Sequence, residues 1–195
     1  MNNSDKIILF GGSFDPPHLG HLVIAQWVAD ALGGVVRFLP AGNPPHKQPL
    51  GSGEHRLEML KLATAGNKNF FLDEYEYNLH RINYSVETLQ RYRDDFGVSR
   101  DSLYFVMGSD SLRNLNTWRD PQGIANRATL LAFAREAVDW QDLLASLGQL
   151  KAKVVICDAP IIGISSTLVR NRVKRGLSVR YLVTPGVEEY IVAHR

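Results

Sequence analysis

The sequence predicts an α/β protein, built as a Rossmann-like doubly wound parallel sheet. A strand-forming apolar run at residues 7–10 leads through a glycine-containing loop into apolar residues at helical spacing from 19 to 32. The same succession of short apolar run and helical segment recurs along the chain, which is typical of a parallel sheet with helical crossovers. A chain of 195 residues, 45% of them hydrophobic, is long and apolar enough for one substantial core.

The sequence predicts six main strands and six helices. We expect strands at residues 7–10, 35–39, 69–72, 102–107, 130–134 and 153–157, with a further short extended piece at 181–183. We expect helices at residues 19–32, 54–65, 84–96, 140–147, 165–175 and from 185 towards 195. Three glycines, Gly66, Gly97 and Gly176, end three of these helices. The prediction is a single domain, residues 1–195, with a small C-terminal helical portion from about residue 160.

Composition excludes several functions. The net charge of +2, from 22 basic and 20 acidic residues, argues against a nonspecific nucleic-acid or membrane-surface partner. The single cysteine, Cys157, excludes an intrachain disulfide framework and a cysteine-built zinc site, and its apolar run predicts a buried thiol. No apolar stretch approaches the roughly 20 residues that span a bilayer. We therefore expect a cytoplasmic enzyme, with a homo-oligomer left open.

Residues 11–21 read GGSFDPPHLGH and join the first strand to the first helix. Glycines let a backbone approach a ligand, and a helix N-terminus offers unpaired N–H groups and a positive dipole to an anion. His18 and His21 are three residues apart and share one face of the first helical turn. Imidazole donors beside such an anion site indicate phosphoryl or nucleotidyl transfer. The alternative is a structural loop with two surface histidines.

Residues 40–53 form a long loop whose four prolines and three glycines exclude regular structure. Loops of this length inside a compact domain are usually functional or disordered. The loop carries Lys47, which either contacts a substrate phosphate or is a solvated lysine.

The strand at 102–107 runs into Gly108 and Asp110. Open α/β sheets bind ligands at the carboxyl ends of their strands, where an aspartate accepts hydrogen bonds from ribose hydroxyls. The alternative is that Asp110 only caps the next helix. Trp118 follows and is either a core residue or a stacking surface.

A basic helix near the C-terminus begins after Ser165 and Ser166, which are good N-cap residues. Most of its charges form a solvated face. Arg170, one turn in from the serines, is the exception, because its planar guanidinium matches phosphate oxygens and it lies close to the start of the helix.

The string GGSFDPPHLGH resembles the HxGH nucleotidyltransferase signature in the form G-G-[ST]-F-D-P-x-H-x-G-H, which is found in nicotinate-mononucleotide adenylyltransferases. Four further stretches are similar to that family in the same order: PPHK, NYSVETL, GSDSLRNLNTW and ISSTLVR. The resemblance covers nearly the whole chain. It implies a step of NAD biosynthesis in which ATP and nicotinate mononucleotide, the two partners, give deamido-NAD and pyrophosphate.

For ATP, the resemblance implies a site built from the first loop, the end of the fourth strand and the basic helix. Its residues are Gly11, Gly12, Ser13, Phe14, His18, His21, Gly108, Asp110, Ser165, Ser166 and Arg170. Three of them, His18, His21 and Arg170, are the catalytic residues, with His21 clamping the transition state. The attacking phosphate is already ionised at neutral pH, so direct in-line transfer requires positioning but no general base and no covalent enzyme intermediate.

The resemblance also implies Mg²⁺. No carboxylate cluster is evident in the sequence, so we expect ATP phosphates and water to hold the ion, without a metal site of protein side chains.

On the acceptor side the resemblance implies mononucleotide contacts from Lys47, Tyr84, Ser85, Trp118, Arg119 and Arg135. Lys47 and Arg135 would lie near the phosphate and the pyridine ring beside Trp118 and Tyr84, with backbone N–H groups near Ser85 and Arg119 reading the carboxylate.

Two stretches depart from the family pattern. The usual [RK]-x-x-x-S-Y-T appears as RINYSVETL, and the usual Arg-Pro-Gly after the fifth strand is Arg135-Glu136-Ala137. A nicotinamide-mononucleotide or dual-specificity enzyme therefore stays open. From another class, a non-catalytic nucleotide-binding sensor stays open as well.

Overall fold

Within residues 6–43 and 49–194, which the computed structural model describes, six strands alternate with nine α-helices. The strands are β1 (Ile7–Gly12), β2 (Val36–Pro40), β3 (Phe70–Leu72), β4 (Leu103–Gly108), β5 (Thr129–Phe133) and β6 (Val154–Cys157). The helices are α1 (Leu19–Leu32), α2 (Gly53–Thr64), α3 (Tyr75–Asn78), α4 (Ser85–Phe96), α5 (Ser109–Arg113), α6 (Pro121–Arg127), α7 (Trp140–Ser146), α8 (Ser166–Lys174) and α9 (Pro185–Ala193).

Every predicted strand and helix is confirmed within two residues, apart from the extended piece at 181–183. That prediction is wrong: Tyr181 has a φ of 66°, and only an isolated bridge joins Arg180 to Val183. The short helices α3 and α6 were not predicted, and α5 entered the predictions only as the helix that Asp110 would cap. The sequence does indicate the start of α6, because Asp120 followed by Pro121 is a typical beginning of a helix. Asp120 caps the helix by accepting the N–H of Gly123 at 2.9 Å, and proline occupies the first helical position.

The sheet has the strand order β3-β2-β1-β4-β5-β6, and each neighbouring pair is parallel. In β1, Ile8 pairs with Val36 on one side and Tyr104 on the other. The chain therefore winds outwards in both directions from the β1–β4 pair, as a doubly wound sheet requires. Ligands bind such sheets outside the carboxyl ends of the strands at this switch point.

Alternate residues of β1 enter two cores on opposite faces of the sheet. Ile7 and Leu9 pack in one cluster with residues of α4, α6 and α7, and Ile8 and Phe10 pack in another with residues of α1 and α2. A third cluster joins α2 to α8 and α9 through residues such as Met59, Val169 and Val187. The C-terminal helices are thereby attached through α2 beside the carboxyl end of β1.

Cys157 lies at the end of β6 and is 7% exposed, which confirms the predicted buried thiol. Desolvation by burial raises the pKa of this thiol. No helix in the described ranges is long and apolar enough to cross a membrane.

Candidate active site

A cleft of about 420 Å³ opens at the carboxyl ends of β1 and β4. The cleft collects most of the site residues predicted from the sequence: Gly11, Gly12, Ser13, Phe14, His18, His21, Tyr84, Ser85, Asp110, Trp118, Arg119, Arg135, Ser165 and Ser166. Gly108 and Arg170 do not line it, and Lys47 lies outside the described residues. Both predicted halves, for ATP and for the mononucleotide, therefore share one cavity.

The two histidines form one unit at the start of α1. The backbone N–H of His18 donates to Nδ1 of His21 at 3.2 Å, and the rings stack with centroids 3.6 Å apart. Because Nδ1 of His21 accepts this bond, the neutral ring carries its proton on Nε2, where it serves as a donor. His18 is 7% exposed, and burial, aided by the positive charge of Arg135, lowers its pKa to about 4. His18 is therefore neutral at physiological pH.

Glycines of the motif make room for these rings. Phe14 is buried at a φ of 45°, with its ring edge-on to His21 at 5.0 Å. A Cβ at Gly12 would lie 3.1 Å from the Phe14 ring, and a Cβ at Gly20 would lie 3.0 Å from Nδ1 of His18. Gly12 and Gly20 thus leave the space that the Phe14 and His18 rings occupy, a role that the sequence did not reveal.

Helix α8 begins against the loop that follows β1. Ser165 caps the helix by accepting the N–H of Leu168 at 3.1 Å, and the Ser166 hydroxyl donates to the backbone oxygen of Pro16 at 2.9 Å. Arg170 donates to the backbone oxygen of Asp15 at 2.5 Å and lies 3.7 Å from its carboxylate. The two predicted phosphate-binding segments are therefore in direct contact, with the Arg170 guanidinium held at Asp15.

Asp110 lies in the first turn of α5, and Gly108 is the N-cap, so the capping alternative for Asp110 is wrong. The Asp110 carboxylate lies 3.3 Å from Nε of Arg135. A Cβ at Gly108 would come within 2.6 Å of the same Nε. The absent side chain at Gly108 therefore lets this ion pair lie across the end of β4.

Another part of the cleft, lined by Tyr84, Trp118 and Arg119, is aromatic. Trp118 is partly buried against the core, edge-on to Phe105 at 6.4 Å, which confirms its packing role. It also lines the cleft, so its use as a stacking surface stays a prediction. The Arg119 guanidinium lies 5.4 Å from the centroid of the Tyr84 ring. Tyr84 is the N-cap of α4 and makes no side-chain capping bond, so the first N–H groups of α4, from Ser85 onwards, receive no side-chain cap at this edge.

Sequence reasoning missed Arg56, which is 2% exposed. Its guanidinium donates to the backbone oxygens of Ser13 at 2.9 Å, Ala41 at 2.8 Å and Gly42 at 3.1 Å, three residues that line the cleft. Burial lowers its pKa, and the nearby Asp15 carboxylate opposes that shift. A signal was present, because Arg56 shares the buried stripe of α2, which continues at residues 59, 60 and 63.

Asp15 was also missed, although it lies inside the GGSFDPPHLGH motif. It is 4% exposed, and its carboxylate accepts the N–H groups of Leu50 at 2.9 Å and Gly51 at 3.1 Å. With the Arg170 contact, Asp15 links three parts of the chain: the loop after β1, the segment before α2, and α8.

Residues 9–172 match the model of the cytidylyltransferase-like family. The probable nicotinate-nucleotide adenylyltransferase of Thermomicrobium roseum is 39% identical over 194 residues, which cover 97% of this chain and 90% of the relative. A probable nicotinate-nucleotide adenylyltransferase of Thermus thermophilus is 40% identical over 190 residues, covering 97% of both chains. The chain belongs to the nicotinate-nucleotide adenylyltransferase family.

The fold agrees with this family. The nicotinic acid mononucleotide adenylyltransferase of Plasmodium falciparum, solved in complex with APC, superposes with a TM-score of 0.78 at 17% identity, covering 97% of this chain and 96% of that one. The same protein in complex with NaAD superposes with a TM-score of 0.79. This chain thus shares its fold with that protein at low sequence identity.

Replacing Gly20 by Ala tests the placement of His18. The added Cβ displaces the imidazole, so we expect turnover to fall by about tenfold or more while the protein stays folded. Gly186→Ala is the matched control, since Gly186 is likewise the second residue of its helix and a Cβ there meets Leu62 at an ordinary 3.5 Å. Equal turnover in the two variants would contradict the assigned role of Gly20.

The buried His18 also makes stability depend on pH. Between about pH 4 and 6.5 the unfolded chain protonates His18 and the folded chain does not, so stability decreases as the pH falls through this window. The loss attributable to His18 is up to about 3 kcal/mol. Urea unfolding of wild-type and His18→Gln protein between about pH 4 and 6.5 measures this loss of stability. We expect the variant to show the weaker dependence, and parallel curves would exclude His18 as the cause.

Proposed function

We propose that this protein transfers the adenylyl group of ATP to the phosphate of nicotinate mononucleotide, releasing pyrophosphate and forming deamido-NAD in NAD biosynthesis. The observation that carries the proposal is one cleft at the β1–β4 switch point in which the stacked His18 and His21 face the start of α8. Membership of the adenylyltransferase family supports the same reaction.

The triphosphate is proposed to lie between the starts of α1 and α8. Nε2–H of His21 donates to a phosphate oxygen, and the neutral His18 supplies a second donor. Backbone at residues 11–14 approaches the nucleotide, and Asp110 accepts from a ribose hydroxyl. Ser165, Ser166 and Arg170 bind the β- and γ-phosphates, for which Arg170 exchanges its contact with Asp15 for phosphate oxygens.

The chemistry requires placement of two reactants. The mononucleotide phosphate is ionised at neutral pH and attacks the α-phosphorus in line, so no side chain has to remove a proton. Fixed donors at His18, His21 and the start of α8 stabilise the negative charge that develops on the transferring and leaving phosphates. A neutral His18 fits this role because it donates through its N–H without titrating in the physiological range.

The acceptor is proposed to occupy the aromatic end. The pyridine ring lies beside Trp118 and Tyr84, and its carboxylate accepts from N–H groups near Ser85 and Arg119. The missing side-chain cap at the start of α4 supports this placement, because those N–H groups favour an anion. Arg135, together with Lys47 from the loop before α2, binds the mononucleotide phosphate.

Mg²⁺ is proposed as the ion that accompanies ATP, where it offsets the charge of the phosphates. The carboxylates at the ATP end already have partners, Asp15 with two N–H groups and Arg170, and Asp110 with Arg135. Among the described residues no group of three or more His, Cys, Asp or Glu side chains is arranged to hold a metal. This donor set fits an ion coordinated by phosphate oxygens and water.

Pyrophosphate release with ATP and each mononucleotide tests the function. We expect release with nicotinate mononucleotide, accompanied by deamido-NAD. A higher kcat/KM with nicotinamide mononucleotide would show that the preferred substrate is the amide and not the acid. ATP binding without pyrophosphate release in the presence of either mononucleotide would favour a nucleotide sensor and overturn the proposal.

His21→Ala removes the proposed transition-state donor. We expect kcat to fall by about 10²-fold or more, with the folding transition retained, since one such donor contributes about 3–4 kcal/mol to transition-state stabilisation. His55→Ala is the control, because His55 lies on α2 outside the cleft and bonds Tyr190 at 2.9 Å. A kcat in His21→Ala close to that of the control would refute this role.

A further inference from the structure

A carboxyl group with no assigned role faces the acceptor end of the cleft. Glu76, on α3, lines the cleft together with Asn83, Tyr84 and Ser85. It accepts a hydrogen bond from the Thr88 hydroxyl at 2.7 Å, and the same hydroxyl accepts from the Asn83 amide at 2.7 Å. These bonds fix the carboxyl group against the segment that presents the start of α4.

The backbone around Glu76 is equally constrained. A Cβ at Gly42 would lie 2.6 Å from the backbone oxygen of Glu76, so α3 packs directly on the cleft-lining segment that follows β2. Asn43 and Ile82 form an isolated bridge that joins this segment to the one before α4. Glu76 is therefore held in place at the acceptor end and does not move freely in solvent.

No ion pair within residues 6–43 and 49–194 includes Glu76. The charged side chains around α3 and α4 pair with one another: Arg37 with Asp73, Arg81 with Glu87, and Arg91 with Asp95. Arg119 lies over Tyr84. Among the residues that the structure describes, Glu76 is thus a carboxyl group without a cationic partner, in the part of the cleft proposed to receive the pyridine ring.

We propose that Glu76 is a specificity-determining residue. It sets how strongly the protein prefers a mononucleotide with a carboxylate on the pyridine ring over one with a carboxamide. The inference rests on the proposed function. In its ionised form Glu76 repels a second carboxylate in the same cavity and tolerates an amide. In its uncharged form it accepts either ligand. The preference for the acid is therefore weakened when Glu76 is ionised and retained when it is uncharged.

The surroundings of Glu76 favour the uncharged form. Desolvation raises its pKa, and the nearby Asp73 raises it further, while the hydrogen bonds from Thr88 and Asn83 lower it. A raised pKa keeps the group uncharged at pH values where an exposed glutamate is ionised. As the pH rises through that pKa, Glu76 gains its charge, and the ratio of kcat/KM for the acid to that for the amide falls.

The ratio of kcat/KM for nicotinate to nicotinamide mononucleotide, followed by pyrophosphate release across the pH range in which the protein stays folded, tests the proposal. We expect the wild-type ratio to fall with pH. Glu76→Gln removes the charge, so its ratio should stay flat and exceed that of the wild type by about tenfold at the alkaline end, because the repulsion between two carboxylates is lost. Thr88→Val retains the carboxyl group but removes a bond to its ionised form, and should move the fall to higher pH.

Glu87→Gln is the matched control. It makes the same chemical change on the neighbouring helix, at a side chain that is 41% exposed and paired with Arg81. Its ratio should follow that of the wild type. An unchanged ratio in Glu76→Gln, or an equal rise in Glu87→Gln, would overturn the role of Glu76 while leaving the adenylyl transfer intact. Wild-type protein that releases no pyrophosphate with either mononucleotide would instead overturn the proposed function, and this inference with it.

Discussion

The geometry of the cleft depends on the hydrogen bonds that the buried guanidinium of Arg56 makes to backbone carbonyls. Its three hydrogen bonds end on carbonyls of two separate loops, Ser13 after β1, and Ala41 and Gly42 after β2. Each of these carbonyls would cost about 1–3 kcal/mol if it were buried without a partner, and a planar fork satisfies all three at once. The loops that carry the proposed phosphate and acceptor sites therefore keep a fixed separation, because one buried cation from α2 holds both.

Further buried polar contacts extend this arrangement to the rest of the site. Asp15 connects the loop after β1 to the segment before α2 and to Arg170 on α8. Glu76, hydrogen-bonded to Thr88, connects α3 to α4 at the acceptor end. Such a scaffold suits a reaction whose nucleophile is already ionised, because the protein has to align two charged substrates and hold donors where charge develops. Catalysis of this kind depends on the positions of hydrogen-bond donors more than on proton transfer, and His21 is the donor proposed for it.

Sequence reasoning predicted the parts of the fold and the site that are local in the chain. The β1–loop–α1 unit is consecutive, so its strand pattern, glycines and paired histidines could be read directly. Contacts between distant segments could not be predicted in this way. Arg56 is separated in sequence from its partners Ser13 and Ala41 by 43 and 15 residues, and Arg170 is separated from Asp15 by 155 residues. Helix α3 has four residues, too few for a periodic signal, and its placement depends on the close approach of its backbone to Gly42. The roles of Gly12 and Gly20 were also hidden, since they depend on ring positions that only the packed structure defines.

Replacing Arg56 by Lys tests most directly whether this buried cation organises the cleft. Lysine keeps the charge but cannot present a planar fork to three carbonyls, so we expect kcat/KM for both ATP and the mononucleotide to fall by about tenfold or more in folded protein. Leu143→Ala, a core change on α7 away from the cleft, controls for lost stability, with an expected cost of about 2–5 kcal/mol and unchanged turnover below its unfolding temperature. An Arg56→Lys protein with wild-type kinetics would contradict the account.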